Sequence, residues 1–386
     1  MITAEEPVDL DPLRDRLAVL GRPPTPADVA AAMDAEGLMV SDATLIETVE
    51  ALRRHSVGAG PLDPLLHQPG VTDNLVNGPD RVYVERGAGL ELTGLRFTHD
   101  DEVRRLAQRL AASVGRRLDD AVPFVDTRLA DGSRIHAVLA PMADPGTCIS
   151  LRVLAPRSFS LDDCVRSGSL TAGGAELLRR IVAARLAFLI SGGTGSGKTT
   201  LLGAMLALVP AHHRIVIVED SRELAPNHQH VIRLEARPPN AERAGAITLT
   251  DLVRQSLRMR PDRLVVGEVR GPEICDLLMA LNTGHEGGCG TVHANSAEDV
   301  PARLEALAAL GGLTRSALHA QLNSALHAVV HVIRDEAGLR RVSEISVMAR
   351  EAATGLVRAE TAVQFTSDGR AVRGRGGAQL ERLLGR

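Results

Sequence analysis

The stretch Leu186-Ala187-Phe188-Leu189-Ile190-Ser191-Gly192-Gly193-Thr194-Gly195-Ser196-Gly197-Lys198-Thr199-Thr200 decides the fold. Its first five residues are an unbroken apolar run, short enough for a buried strand. Gly192, Gly193, Thr194, Gly195, Ser196, Gly197, Lys198 and Thr199 then match GxxxxGK[ST] in full, and Leu201-Leu202-Gly203-Ala204-Met205-Leu206 reads as a helix opening behind them. Strand, glycine loop and helix together are the signature of a phosphate cradle. Glycines let the backbone curl so that its N–H groups face an anion, and the helix N-terminus adds partial positive charge. Lys198, expected to be exposed in the loop, reaches the β- and γ-phosphates. Thr199 offers its hydroxyl to Mg²⁺, with Thr200 closing the loop. The expected ligands are therefore ATP and Mg²⁺.

Hydrolysis needs carboxylates at strand ends beside such a loop. The strand 214–218 runs into Glu219-Asp220, with Glu223 three residues on, and the strand 263–266 runs into Gly267-Glu268. Parallel strands deliver their C-terminal ends to one sheet edge, so both acid groups are expected to converge on the γ-phosphate. One helix beyond Glu268 lies Gly284-His285-Glu286-Gly287-Gly288-Cys289-Gly290-Thr291-Val292-His293-Ala294-Asn295. Its density of Gly, His, Thr and Asn marks His285 and His293 as candidate phosphate or carboxylate partners. Arg254, Arg258, Arg260, Arg263 and Arg270 surround the Glu268 strand as surface residues, one or two of them candidate charge stabilisers. Arg134 and Arg152 lie on strands that close the N-terminal part of the chain.

The rest of the chain frames this centre. Residues 1–60 read as a short helical extension, broken by Arg22-Pro23-Pro24-Thr25-Pro26, with Thr25 or Ser41-Asp42 as caps. Residues 61–155 read as a small α+β domain. It holds a hairpin over 82–92 with its loop at Arg86-Gly87-Ala88-Gly89, a turn at Asn77-Gly78-Pro79-Asp80, an amphipathic helix over 101–115, and strands near 133–139 and 148–154. Residues 156–169 read as a linker. Residues 170–350 alternate helix and strand, the pattern of a parallel-type sheet with helices on its faces. The Gly- and Arg-rich end, 351–386, reads as a tail whose last part, 368–386, is a partly disordered, solvated end.

Composition removes several function classes. The 386 residues are 44% hydrophobic and 24% charged, with net charge −4, no Trp and one Tyr. Neither the basic balance nor the aromatic platforms of a nucleic-acid binder are present, so no direct nucleic-acid contact is expected. Cys148, Cys164, Cys275 and Cys289 form no CxxC pair and read as small buried thiols rather than a zinc site. The acidic start Met1-Ile2-Thr3-Ala4-Glu5-Glu6 is not a secretory signal. The apolar runs 181–190 and 201–209 fall short of the roughly 20 residues that span a bilayer. The protein is expected in the cytoplasm or against the membrane. No ABC signature follows the loop, and the acid of the Glu268 strand follows Gly rather than the Asp of AAA+ proteins.

Taken in order, these segments resemble the secretion ATPases of type II and type IV systems: the Walker A loop, an Asp box at Val218-Glu219-Asp220-Ser221-Arg222-Glu223-Leu224, a Walker B ending at Glu268, and a His box over 284–295. Val76-Asn77-Gly78-Pro79-Asp80, Asp131-Gly132-Ser133-Arg134-Ile135-His136-Ala137-Val138 and Gly267-Glu268-Val269-Arg270-Gly271 look like the TadA/CpaF branch of Flp pilus-assembly ATPases, relatives of the VirB-type traffic ATPases. The resemblance covers roughly residues 60–350. It implies a RecA-like ATPase domain, a PAS-like N-terminal domain and a homohexamer that works on inner-membrane platform proteins from the cytoplasmic face. Glu223 would polarise the attacking water, Glu268 would support Mg²⁺ or that water, and His293 would contact the γ-phosphate region. Arg134 and Arg152 look like the arginines that reach nucleotide from the N-terminal domain. The implied work is pilus assembly or protein secretion, with conjugative DNA transfer or DNA uptake as the alternative. The four-Cys zinc module of the type II branch is absent, and His136 stands where the branch often carries Asn.

Overall fold

The computed structural model describes residues 11–18, 24–38, 41, 44–46, 48–49, 58–86, 89–153, 159–239, 244–335, 338–366 and 369–385. The acidic start at 1–6, the cap option at Asp42 and the hairpin loop at Gly87-Ala88 lie outside the described residues. Two compact units divide at residue 155: Met1–Ala155 and Pro156–Arg386.

The first unit opens with helices α1 (Asp11–Ala18) and α2 (Pro26–Ala35), whose Leu13, Leu17, Val29 and Met33 bury against one another. Thr25 caps α2, accepting from the Asp28 N–H while Asp28 reaches back to the Thr25 N–H. After the single turn α3 (Asp63–Leu66) come β1 (Asp73–Asn77), β2 (Val82–Glu85), β3 (Leu90–Leu92), helix α4 (Asp100–Ser113), β4 (Phe124–Arg128), β5 (Arg134–Val138) and β6 (Cys148–Arg152). All pair antiparallel in the order β3-β2-β1-β6-β5-β4. Buried and outward positions alternate along β1, β2, β5 and β6, and Val103, Leu106 and Leu110 of α4 cover the buried face with Val76, Ile135, Ile149 and Leu151. The hairpin, the helix, β5 and β6 lie where the sequence pattern places them. β1 and β4 carry a weaker strand signal, because most of their residues are polar.

The second unit alternates: α5 (Leu161–Arg166), α6 (Ala172–Ala183), β7 (Phe188–Gly192), α7 (Lys198–Leu206), β8 (Ile215–Glu219), β9 (Val231–Glu235), α8 (Leu249–Ser256), β10 (Arg263–Val269), α9 (Glu273–Asn282), β11 (Cys289–His293), α10 (Val300–Leu310), α11 (Arg315–Ala325), β12 (Ala328–Arg334), β13 (Arg340–Arg350), β14 (Val357–Phe365), β15 (Ala371–Arg373) and α12 (Gly377–Leu384). The sheet order is β15-β14-β13-β12-β7-β11-β10-β8-β9. From β12 to β9 every neighbour is parallel, and β13, β14 and β15 are added antiparallel. Neighbouring residues bury on opposite faces: Phe188 and Ile190 join one core with α5, α6, α7 and α12, while Leu189 joins a second core with α8, α9, α10 and α11.

Three expectations are corrected here. The sheet is mixed rather than wholly parallel, because an antiparallel meander extends it beyond β12. The segment 156–169, read as a linker, contains α5, capped by Ser160 and anchored by Leu161 and Cys164 in the core. The end, read as a partly disordered tail, is structured: Val363 on β14 pairs with Arg373, and Leu380 and Leu383 of α12 bury against the sheet. Gly and Arg lowered its apparent order, but Gly376 sits where a Cβ would press on Val347 and on the Glu360 carbonyl.

Candidate active site

Every C-terminal strand end from β7 to β8 lies on one sheet edge, and the site is built there. β7 ends at Gly192 with φ +150, a conformation glycine favours, and a Cβ at that point would run into the Val332 carbonyl of β12. Gly195 (φ +69) and Gly197 (φ +94) complete the curl, and Gly197 N-caps α7. Gly193, Thr194 and Gly195 are exposed, with open space above Gly193 and Gly195 where an anion meets backbone N–H groups. Ser196 is buried and donates to the Gly193 carbonyl.

Lys198 is buried, which corrects the expectation of an exposed loop lysine: helix α7 draws its stem inward. Its ammonium donates to the Gly192 carbonyl (3.1 Å) and the Gly193 carbonyl (2.7 Å). Burial lowers its pKa, while Glu268 and Glu223 pull it back up, so the charge faces both acids. Thr199 Oγ1 stands 3.5 Å from Glu223 Oε2. One hydroxyl beside carboxylates suits Mg²⁺, which keeps several of its waters and binds chiefly through nucleotide. Among the described residues no group of three or more His, Cys, Asp or Glu forms a cage for a metal.

The two acid groups do different things. Glu219 is buried, and its Oε1 accepts the N–H groups of Glu223 (3.0 Å) and Leu224 (2.9 Å). Instead of pointing at a phosphate, it folds the loop that presents Glu223. Its side chain crosses β10 at Gly267, where a Cβ would fall 2.5 Å from Glu219 Cγ. The glycine before Glu268 is therefore a steric requirement of Glu219. Pairing of β10 with β11 shifts register between Val266 and Val269, and this irregularity carries Glu268.

Glu268 Oε1 lies 3.0 Å from His293 Nε2, and its Oε2 accepts from Arg270, which also bridges to Asp220 at 3.3 Å. His293 ends β11 and pairs in register with Gly192, so the expected His-box residue sits beside the first loop glycine. Burial first, then Lys198, lowers its pKa, with Glu268 opposing. Within the Gly-rich, polar segment 284–295, residues Cys289–His293 form a strand inserted between β7 and β10. Gly290 lets it approach Val266, and Thr291 donates to the Gly267 carbonyl at 2.7 Å.

Other candidates part company. His285 precedes β11 and binds the Ala280 carbonyl at the end of α9, on the opposite sheet edge. Arg263 starts β10 on that same far edge and is bonded to the Gly287 and Val182 carbonyls. Arg254 pairs with Asp276, and Arg258 meets Gln255. Of the five arginines around the strand, Arg270 joins the acids. Arg134 and Arg152 belong to the first unit, in register on β5 and β6, and pair with Asp126 and Asp73.

Residues without a motif complete the site. Arg340, at the start of β13, donates to the Gly195 carbonyl at 2.8 Å. A cavity of about 270 Å³ beside the loop is lined by Ser196, Gly197, Thr200, Leu201, Val332 and Arg340 among others. Ser191 and His331 pair behind the loop. Only the P-loop strand signal pointed near these positions. Nothing local marks β12 or β13 as its neighbours.

Residues 55–375 match the family described as type II/IV secretion system protein. A putative conjugal transfer protein of Mycobacterium tuberculosis is 54% identical over 329 residues, covering 84% of this chain and 93% of its own. The type IV secretion system protein PtlH of Bordetella pertussis is 32% identical over 315 residues, covering 74% of this chain and 92% of its own. Among solved structures, the ATPase DotB of Legionella pneumophila aligns with TM-score 0.53 at 18% identity, over 76% of this chain and 80% of its own, a likeness of fold.

Proposed function

The chain belongs to the type II/IV secretion system protein family, and from that premise we propose that it is a hexameric, ATP-hydrolysing motor that powers Flp/Tad-type pilus assembly or protein secretion. The observation that carries this reading is the meeting of Lys198, Thr199, Glu223, Glu268 and His293 at one sheet edge. The loop N–H groups and Lys198 hold the β- and γ-phosphates. Thr199 and Glu268 are the residues that would hold Mg²⁺ by way of the nucleotide, and the ion would supply neutralising charge for the transferred group. Glu223 orients and polarises water, and His293 bears on the γ-phosphate region. The cavity beside Thr200 and Leu201 suits a nucleoside. Arg134 and Arg152, on a PAS-like N-terminal domain, reach nucleotide within the assembled ring.

The motor works in the cytoplasm against inner-membrane platform proteins, without direct nucleic-acid contact. Among the described residues no helix is long and apolar enough to cross a membrane. A second reading, a VirB-type traffic ATPase of conjugative DNA transfer, is favoured by the name of the 54% identical relative.

The test is phosphate release with ATP and Mg²⁺, run beside Lys198→Ala, with mass measured by light scattering. The proposal expects turnover lost in the variant and a six-subunit mass in the wild type. Equal turnover in both proteins would sink the catalytic assignment, and a monomer under all conditions would sink the ring.

A further inference from the structure

A buried polar pair stands directly behind the phosphate loop. Ser191 on β7 and His331 on β12 are in register, with Ser191 Oγ 2.8 Å from His331 Nδ1. They are 0% and 4% exposed. Ser191 precedes Gly192, the glycine packed most tightly against β12. Pairing of β12 with β13 shifts register between His331 and Val332, at the level of the loop. Such irregularities re-aim side chains beside sites. The imidazole therefore bears on the entry to the phosphate loop.

Packing alone does not ask for this pair. A hydroxyl and an imidazole at such depth are costly unless each satisfies the other, and two apolar side chains would fill the space without that constraint. A hydrogen bond fixes direction as well as distance, which packing between apolar groups does not. Burial lowers the His331 pKa, with Lys198 adding to this and Glu344, Asn295 and Asp299 opposing, so the ring is neutral at pH 7. A neutral imidazole leaves the charge balance around Lys198 to Glu268 and Glu223.

We propose that His331 is a positioning residue for the phosphate loop: through Ser191 it fixes the turn at Gly192, where β7 gives way to the loop. The inference rests on the reading that this site hydrolyses ATP. His331 touches no nucleotide. It acts by holding the backbone from which the loop N–H groups and Lys198 are aimed, and small displacements there are costly to turnover.

The experiment measures kcat, KM and melting temperature for the wild type, Lys198→Ala, Ser191→Ala, His331→Leu, the Ser191→Ala/His331→Leu double variant and His331→Asn. Ser191→Ala and His331→Leu are each expected to lower kcat about tenfold, the worth of one buried hydrogen bond realised in the transition state. The double variant is expected to be no slower than His331→Leu. His331→Asn, whose amide reaches the place of Nδ1, is expected to recover most of kcat. Ser191→Ala removes a single oxygen, so it tests the idea even where His331→Leu does not fold. Unchanged kcat in Ser191→Ala beside an active wild type overturns this inference alone, as do strictly additive losses or a fall in melting temperature without a fall in kcat. A wild type no faster than Lys198→Ala overturns the hydrolysis reading and this inference with it.

Discussion

Gly267→Ala should damage the site through a residue that touches no phosphate. The added methyl would stand 2.5 Å from Glu219 Cγ and 3.2 Å from its Cδ. Such contacts are cheap only when the struck atom is the free end of a flexible side chain. Here it is the stem of a buried glutamate whose Oε1 already holds the Glu223 and Leu224 N–H groups. Relief requires Glu219 to move, which weakens two charge-assisted hydrogen bonds, or β10 to shift. Overpacking of this kind costs about 1–3 kcal/mol, and a hydrogen bond to a charged group contributes about 1.5–3 kcal/mol. With partial relaxation the expected destabilisation is about 2–4 kcal/mol, or a melting temperature lower by roughly 5–15 °C for a unit of this size. Turnover should fall further, because the loop that presents Glu223 loses its anchor. The assay is thermal denaturation and phosphate release in a four-protein cycle: wild type, Gly267→Ala, Glu219→Ala and the double variant. Removing Glu219 removes the clash, so Gly267→Ala should add little in that background. An unchanged Gly267→Ala protein, or an equal cost in both backgrounds, would refute the steric account.

Glu223→Gln keeps shape and loses charge; ATP binding should persist while hydrolysis falls by about 10²-fold or more, and unchanged hydrolysis would move the water to Glu268. The imidazoles of His213, His293 and His331 are all held below the ordinary value, each chiefly by burial. Asp262 opposes at His213, Glu268 opposes at His293 against Lys198, Arg270 and Arg303, and Glu344 and Asp299 oppose at His331. The unfolded chain thus takes up protons first as pH falls through about 6.5. The stability these groups contribute is complete above that pH and is lost on acidification. The melting temperature should drop between pH 7.5 and 5.5, less steeply in His331→Asn, and a rise on acidification would contradict the reasoning. Burial pushes the Cys289 thiol up to about 12, so alkylation at neutral pH should reach half-buried Cys148 and Cys275 first, and Cys289 only after unfolding. Labelling of Cys289 in the native state at their rate would count against the buried β11.

Much of this site was legible because its chemistry is carried by backbone conformation over a few residues. A phosphate loop needs glycines at fixed spacing after a strand, so Gly192, Gly195 and Gly197 announce themselves. Glu223 and Glu268 follow from acids at or just beyond strand ends, since parallel strands bring those ends to one edge, whereas His293 stood out by the Gly, His, Thr and Asn around it. Glu219 looked the same in sequence as Glu223. What separates them is a cross-strand fact, the absence of a Cβ at Gly267 on the neighbouring strand. The pattern Gly267-Glu268 served in sequence only to set the chain apart from AAA+ proteins, but here its glycine makes room for a carboxylate 48 positions earlier in the chain. Likewise β11 was hidden, because Gly287, Gly288 and Gly290 imitate a loop. Two of them meet backbone carbonyls closely: Gly288 faces Leu264 and Gly290 faces Val266. Strand propensity is a statement about side chains on a half-buried pleat, and it fails where a strand is selected for close approach.

The same reasoning explains why Ser191, His331 and Arg340 carried no signal. Each acts across a pairing that local sequence does not specify: β7 beside β12, and β13 folded back against β12. Register then decides everything. A shift of one residue in β12 would turn His331 to the other face of the sheet and put a valine behind the loop. That register is held by Val330 and Val332 in one core and Val329 in the other. Their burial sets which way His331 points, and the irregularity after His331 lets the Val332 carbonyl lie against Gly192 while Arg340 reaches Gly195. The core valines are therefore as much a determinant of loop geometry as the loop's own glycines. A slip would leave the motif intact in sequence and misaligned in space.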